Sequence, residues 1–338
     1  MRALVTGASG FLGGNLVPRL LEEGEQVRVL VRSATKAAPL AALGAEVAVG
    51  EVTDRAVLSA ALDGVEVIYH LAGRLFLPGV PTAEYYHTHV EGTRVLLECC
   101  EKQPVKRLVH CSTTGVLGTT GNRPADEETP PAPTNVYEAT KWQAEQLVRA
   151  GIERGLPAAI VRPGLVYGPG DLHLLGFFRS IRRGLFRPIG AQPVWLHPIY
   201  VDDLVEAMWR CGQNPRATGE CFHIAGREPV TIAALAATIA SALGVDPPRG
   251  TIPMPAARAL AVTGDLLPAG LKTLAPLTRS RLEFLTNSRV YTVHKAERLL
   301  GFLAQTDLPA GIARTADWYR SQHYLPAVGW LTALKGAA

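Results

Sequence analysis

Short apolar, β-branched runs recur through the first half of the chain. Each is followed by a longer stretch whose apolar positions fall three and four residues apart. Residues 2–6, 26–31, 45–49, 65–70, 106–111 and 158–161 read as strands, and 11–23, 55–62, 83–101 and 137–154 as helices. Strand–helix alternation needs crossover connections, and near-continuously apolar strands need cover on both faces, so the pattern predicts a parallel α/β sheet. Pro18 within the first helical pattern predicts a kink, because it removes a backbone hydrogen bond. Beyond Gly164 the pattern turns irregular, with Pro and Gly clustered at 164–170, 188–193 and 246–255 and helical stretches at 232–243 and 255–267. This predicts a first domain over 1–165, to which 198–227 returns with residues 220–224 at the sheet edge. A smaller, irregular lobe is predicted from 166–197 and 228–338.

Composition narrows the classes. With 338 residues, 47% hydrophobic and 19% charged, the chain can bury a large core. Its 34 basic and 30 acidic residues leave a net charge of only +4, which argues against nucleic acid as the partner. Cys99, Cys100, Cys111, Cys211 and Cys221 form no C-x-x-C pair, so they are expected as reduced thiols in the cytoplasm. A strand at residue 2 leaves no signal peptide to expect. The most apolar stretch, 252–277, is broken by Arg258, Asp265, Pro268, Lys272 and Pro276, so no spanning helix is expected and only a peripheral membrane contact stays open. His87 and His89 alone are too few ligands for a metal site.

The first strand runs into Thr6-Gly7-Ala8-Ser9-Gly10-Phe11-Leu12-Gly13 and then a helix. Free N–H groups at a helix N-terminus hold a pyrophosphate, and the macrodipole reinforces them. Gly7 permits the tight turn, Gly10 the approach of the diphosphate, and Gly13 the close packing of helix on strand. Ser9, Phe11 and Leu12 complete the loop. The fold class is therefore a Rossmann-type doubly wound sheet binding a dinucleotide. The second strand ends in Arg32 rather than an acid. Arginine cannot accept from ribose hydroxyls but can pair with a 2′-phosphate, so NADP is preferred over NAD, with Lys36 adding charge. Alternatively, Arg32 stacks on adenine or faces solvent while NAD binds. Glu51 and Val52 close the third strand at the adenine, and Leu71, Ala72 and Gly73 close the fourth beneath the nicotinamide ribose.

Tyr137 and Lys141 lie four residues apart on one helical face. A tyrosine acting as a base near neutrality must lose about three pKa units, and a neighbouring ammonium and a cationic nicotinamide both push that way. Ser112-Thr113-Thr114 leaves a strand at the edge where open parallel sheets bind ligands.

Together these segments resemble the extended short-chain dehydrogenase/reductases of the epimerase/dehydratase superfamily. The resemblance also covers Val90-Glu91-Gly92-Thr93, Arg162-Pro163-Gly164-Leu165-Val166-Tyr167-Gly168-Pro169, Tyr200-Val201-Asp202-Asp203 and Gly301-Phe302. It implies that Tyr137 is the acid/base, that Lys141 holds the nicotinamide ribose, and that the catalytic serine position falls on Thr113, with Ser112 as the alternative. It adds Pro163, Gly164 and Val166 to the cofactor site and implies a homodimer through 83–101 and 137–154. His89 stands where the family usually has asparagine. It is expected either as a hydrogen-bonded structural histidine or as a group titrating near neutrality.

Several details favour the 3β-hydroxysteroid dehydrogenase-like and dihydroflavonol reductase-like branch over the nucleotide-sugar enzymes. Gly164-Leu165-Val166 lacks the asparagine those enzymes often carry, Thr114-Gly115 lacks the dehydratase acids, and the 252–277 segment is greasy. The implied reaction is hydride transfer between nicotinamide and a secondary alcohol or ketone of a small, fairly apolar substrate. A nucleotide-sugar epimerase or dehydratase is the alternative, and a non-catalytic dinucleotide binder a third reading. Arg179, Arg182, Arg183 and Arg187 are expected as a solvated face or a clamp for a substrate anion, opposite an apolar face of Phe178, Ile181 and Leu185.

Overall fold

The computed structural model describes residues 1–77, 79–121, 123–266 and 277–326. The first half alternates strand and helix: β1 (Arg2–Thr6), α1 (Phe11–Glu22), β2 (Gln26–Val31), α2 (Ala34–Ala42), β3 (Glu46–Val49), α3 (Arg55–Ala61) and β4 (Val67–His70). It continues with α4 (Thr82–Tyr86), a π-helical turn (His87–Glu91), α5 (Gly92–Lys102), β5 (Arg107–Cys111), α6 (Val136–Glu153) and β6 (Ala158–Pro163). Short pieces follow: β7 (Leu165–Tyr167), α7 (Leu175–Arg182), β8 (Trp195–Leu196), β9 (Pro198–Tyr200), α8 (Val201–Gln213), β10 (Cys221–Ile224) and β11 (Val230–Thr231). Helices α9 (Ile232–Leu243), α10 (Met254–Asp265), α11 (Arg279–Thr286), α12 (His294–Leu300) and α13 (Leu308–Ser321) close the chain.

Seven strands form one sheet in the order β10-β6-β5-β4-β1-β2-β3, and every pairing in it is parallel. Side chains alternate across it. Leu4, Ile68, Leu108 and Ile160 face a core built with Leu58 of α3, Leu96 of α5 and Val148 of α6. Val5, Tyr69, Val109 and Val161 face the opposite core, built with Leu16 and Leu20 of α1 and Leu204 and Met208 of α8. Period-two alternation between two buried faces explains the continuously apolar strands. A third core joins α7, α9 and α13, where the Phe178 and Tyr319 rings meet edge to face at 5.0 Å. Because β1 lies between β4 and β2, the strand order reverses there, and the carboxyl ends of β1 and β4 flank a crevice.

Several expectations shift. The single helix expected over 83–101 is divided by the π-helical turn, which accommodates an extra residue and rotates His89 inward. Pro18 lies within α1, and its missing donor leaves the carbonyl of exposed Gly14 without its helical partner. Helix α2, which contains Pro39, has too weak a pattern to be foreseen. Helix α7 ends at Arg182, so Leu185 lies off it and is exposed while Phe178 and Ile181 are buried. The part of the 252–277 stretch over 267–276, and the last residues of the second lobe, 327–338, lie outside the described residues.

Helix α8 reaches the sheet closely because Gly212 carries no side chain. A Cβ there would sit 2.2 Å from the Tyr69 hydroxyl of β4. Gly212→Ala is expected to destabilise the fold by about 1–3 kcal/mol through overpacking, read as a lower midpoint in urea unfolding.

Candidate active site

The glycine loop follows β1 into the crevice. Gly7 adopts φ +69°, and a Cβ on it would lie 2.7 Å from the Leu71 carbonyl carbon. Gly13 is packed so tightly that a Cβ would come within 2.4 Å of the Ala8 Cα. Gly10 caps α1 with no side chain bonded to the first turn. The N–H groups of Phe11 and Leu12 therefore keep the unpaired donors of a helix start. Ser9 and Gly10 are exposed at this end. The loop is thus a backbone cradle aimed into the crevice, and it fits a diphosphate. Arg32 and Lys36 are exposed just beyond β2, and Glu51 is exposed beyond β3, with its carboxylate 3.7 Å from His87 Nε2. Val52 instead packs inward: its Cγ1 lies 2.6 Å from where a Gly92 Cβ would stand.

The hydroxyl candidates separate by strand alternation. Ser112 Oγ turns beneath the sheet edge and donates to Glu145 Oε2 at 2.7 Å. Thr113 accepts the Gly115 N–H at 3.1 Å, and its hydroxyl lies on the Tyr137 side of the strand end. Tyr137 sits in the first turn of α6, whose N-cap Asn135 accepts the Glu138 N–H at 3.0 Å. Burial pushes the Tyr137 phenol above its ordinary 10.0, while the Thr113 hydroxyl opposes the rise. Lys141, one helical turn on, donates from Nζ to the Cys111 carbonyl at 2.6 Å, and burial lowers its pKa.

His89 is held on both nitrogens. Nε2 accepts the Arg74 N–H at 2.9 Å, so Nδ1 carries the proton and donates to Thr140 Oγ1 at 2.8 Å. Burial, reinforced by the Lys141 charge, pushes it down to about 2. Of the two expectations for this residue, the hydrogen-bonded structural histidine is the one this geometry gives. Its ring meets Tyr137 edge to face at 5.6 Å.

A second relay joins the strand ends. The Ala72 N–H donates to Thr6 Oγ1 at 3.2 Å, and Thr6 Oγ1 lies 2.8 Å from His70 Nδ1. His70 Nε2 lies 3.1 Å from Thr93 Oγ1, which donates to the His89 carbonyl at 2.6 Å. This row fixes Leu71 and Ala72 over Gly7. Thr6 and Thr93 had drawn notice only as members of motifs, and His70 only as the end of a strand, since isolated polar residues carry no spacing signal for a relay.

Beneath the site, Arg162 of β6 grips Glu145 of α6 through Nη2 at 2.7 Å and Nε at 3.0 Å. Arg162 is 1% exposed. Burial alone would raise the Glu145 carboxyl, but Arg162, Ser112 and Arg149 hold it below its usual range. Arg162 had drawn notice only as part of a motif; a charged residue inside an apolar strand was the available signal. Pro163 ends β6, and Gly164 stands against β9, where a Cβ would lie 2.3 Å from the His197 carbonyl oxygen. Val166 is half-buried on β7.

The glycine cradle, the crevice and the Thr113–Tyr137–Lys141 cluster agree with the relationship found by comparison. Residues 3–225 match the NAD dependent epimerase/dehydratase family. The chain belongs to this family. Among its relatives is a 4-hydroxy-2-methyl-3-oxo-4-farnesyl-3,4-dihydroquinoline-1-oxide ketoreductase of Stigmatella aurantiaca, 32% identical over 92% of this chain and 95% of the relative. A 3 beta-hydroxysteroid dehydrogenase/Delta 5-->4-isomerase of Mycobacterium tuberculosis is also 32% identical, over 89% of this chain and 85% of the relative. The solved structure of MoeE5 in complex with UDP-glucose and NAD is 27% identical, with a TM-score of 0.74 over 96% of this chain and 100% of that one. As a member of this family the chain is an enzyme of the NAD(P)-using kind, and no described helix is long and apolar enough to cross a membrane.

Removing one partner of the buried Glu145–Arg162 pair leaves a charge unpaired. Glu145→Gln is expected to cost about 3–5 kcal/mol of stability, seen as a lower thermal unfolding midpoint.

Proposed function

We propose that the chain is an NAD(P)-dependent ketoreductase or alcohol dehydrogenase acting on the secondary alcohol or ketone of a fairly apolar substrate. The observation that carries this reading is the placement of Tyr137 in the first turn of α6, one turn from Lys141 and next to the Thr113 strand end, at the same sheet edge as the glycine cradle. When bound, the dinucleotide donates or accepts the hydride. Tyr137 gives its Oη proton to the developing alkoxide in reduction and receives one in oxidation. Thr113 Oγ1 already accepts from Gly115, so its own proton is left to donate to the substrate oxygen or to the phenolate. Lys141, tied to the Cys111 carbonyl, is placed to hold ribose hydroxyls beneath Tyr137. His89 serves as a neutral prop for Tyr137 rather than a proton carrier, because both its nitrogens are engaged.

The remaining sites follow from this reading. Gly7, Ser9, Gly10, Phe11 and Leu12 hold the diphosphate, Glu51 and Val52 border the adenine, and Leu71, Ala72, Gly73, Pro163, Gly164 and Val166 border the nicotinamide end. Exposed Arg32 supports NADP over NAD, since its planar fork suits a 2′-phosphate. Residues 1–165 with 198–227 make the dinucleotide domain, and 166–197 with 228–338 the substrate lobe. The five buried free cysteines support a reducing, cytoplasmic setting. Residues 83–101 and 137–154, whose helices α5 and α6 pack side by side, are the proposed homodimer face. MoeE5 with UDP-glucose keeps a nucleotide-sugar substrate as the second reading.

Tyr137→Phe is expected to abolish turnover while leaving dinucleotide affinity intact; full turnover by the variant would refute the assignment. A phenol raised above its ordinary pKa stays protonated through neutrality. Reduction should therefore show no loss from this group between about pH 6 and about pH 9, while oxidation should rise with pH across that range. Arg32→Ala should weaken NADP far more than NAD, as fluorescence titration of the two reduced cofactors would show; equal losses would remove the preference.

A further inference from the structure

The carboxylate that follows the reacting phenol is held by three hydrogen bonds. Glu138 Oε2 accepts the N–H and the hydroxyl of Thr134, each at 2.8 Å, and Oε1 accepts from Arg289 Nη1 at 2.7 Å. Tyr137 and Glu138 are the second and third residues of α6, so this clamp acts on the turn that carries the phenol. It also lies against the Thr113 hydroxyl. A Cβ on Gly115 would stand 3.2 Å from Glu138 Oε1 and 3.2 Å from Thr113 Oγ1, so the two oxygens flank one glycine.

Arg289 comes from the second lobe, 151 residues away in sequence. Its backbone is stitched on two sides. The Arg289 N–H donates to the Trp195 carbonyl of β8 at 2.8 Å. The Ser288 carbonyl accepts the Thr120 N–H at 3.0 Å, and the Val290 N–H donates to Thr120 Oγ1 at 2.8 Å, which ties the segment to the loop after β5. The guanidinium therefore reaches Glu138 from a fixed base. As a stabilising device the pair is poor. Glu138 is buried, and Arg289 Nε is buried with no partner among the described residues. A buried ion pair with an orphaned donor recovers little of what desolvation costs. Its consequence is local. Burial is the main cause that raises the Tyr137 phenol, and the Glu138 charge adds to it. A guanidinium on that carboxylate opposes this field.

We propose that Arg289 is a positioning residue for the reaction, acting through Glu138: it fixes the first turn of α6 from the second lobe and cancels the negative charge that Glu138 would otherwise hold beside Tyr137 and Thr113. The proposal rests on Tyr137 being the acid/base of the ketoreductase reading, and it adds a residue of the other lobe to the control of that group. Around the phenol also stand Lys141 of the same helix, Cys111 of β5, whose thiol burial keeps protonated, and neutral His89 of the π-helical turn. Beyond His89, Arg74 and Glu84 pair with each other at 2.7 Å. Tyr291 faces the Arg289–Glu138 pair with a phenol that burial pushes up.

The test needs no substrate and leaves those neighbours in place. The full chain, carrying a carbon-13 label at tyrosine Cζ and loaded with NADP+, is titrated by NMR. The Tyr137 signal is the one lost in Tyr137→Phe. Arg289→Gln should raise its midpoint by about one pH unit, and Glu138→Gln should lower it by about as much. The double variant should return close to the native midpoint, and Arg289→Lys, which keeps the charge, should stay there. Affinity for NADP+ should be common to all, which excludes general misfolding. A midpoint that stays or falls in Arg289→Gln, or that moves alike in both single variants, would overturn the proposal while leaving the ketoreductase reading in place. A midpoint in the native chain that does not fall when NADP+ binds would overturn that reading and the proposal together, since a cationic nicotinamide beside the phenol favours phenolate.

Discussion

The buried Arg162–Glu145 pair is the contact on which the site's geometry depends. It bolts α6 to β6 from below, two helical turns from Tyr137 and one from Lys141. Without it the amphipathic helix would still cover the sheet, but its rotation and height would rest on non-directional apolar contacts. A bidentate arginine–carboxylate pair fixes both, since its two hydrogen bonds are satisfied in one orientation. Ser112 joins the same carboxylate, and its neighbour Thr113 is thereby turned up toward the phenol. One charge pair thus sets the strand end and the helix relative to each other. Its stabilising worth against an apolar replacement is small in general; here its consequence is orientation.

Above that base, the crevice is organised by neutral relays rather than by ions. His70 and His89 are both driven to their uncharged forms by burial, at about 3 and about 2. Each then has one donor and one acceptor with a defined partner. Such relays are directional, so they hold the backbone of Leu71, Ala72 and Arg74 without placing charge beside the reacting centre. The Lys141 ammonium is the main cation there, and one of its three donors goes to the Cys111 carbonyl. A buried phenol in this setting remains an acid at neutral pH, which suits proton delivery to a carbonyl oxygen.

What the chain itself determined is the parallel sheet and the two loops that meet at its switch point. Six strand segments are visible because a sheet buried on both faces demands unbroken apolar runs, and such runs survive in a linear reading. The return strand β10 is also visible, as a short apolar run between turn signals. The glycine spacing is likewise local, because tight turning and close packing are demands on consecutive residues. Tyr137 and Lys141 share a face by helical geometry alone.

Tertiary structure decided the rest, because it depends on which surfaces meet. The choice between Ser112 and Thr113 follows from strand alternation against a carboxylate on another element, a contact 33 residues away in sequence. The state of His89 follows from a π-helical turn and from burial, neither of which leaves a periodic mark. The direction of the Lys141 ammonium and the pairings of Arg162 with Glu145 and of Arg289 with Glu138 are long-range outcomes of the same kind. A side chain's chemistry is written in the sequence, but its charge state and aim are set by the desolvation and partners that folding brings to it.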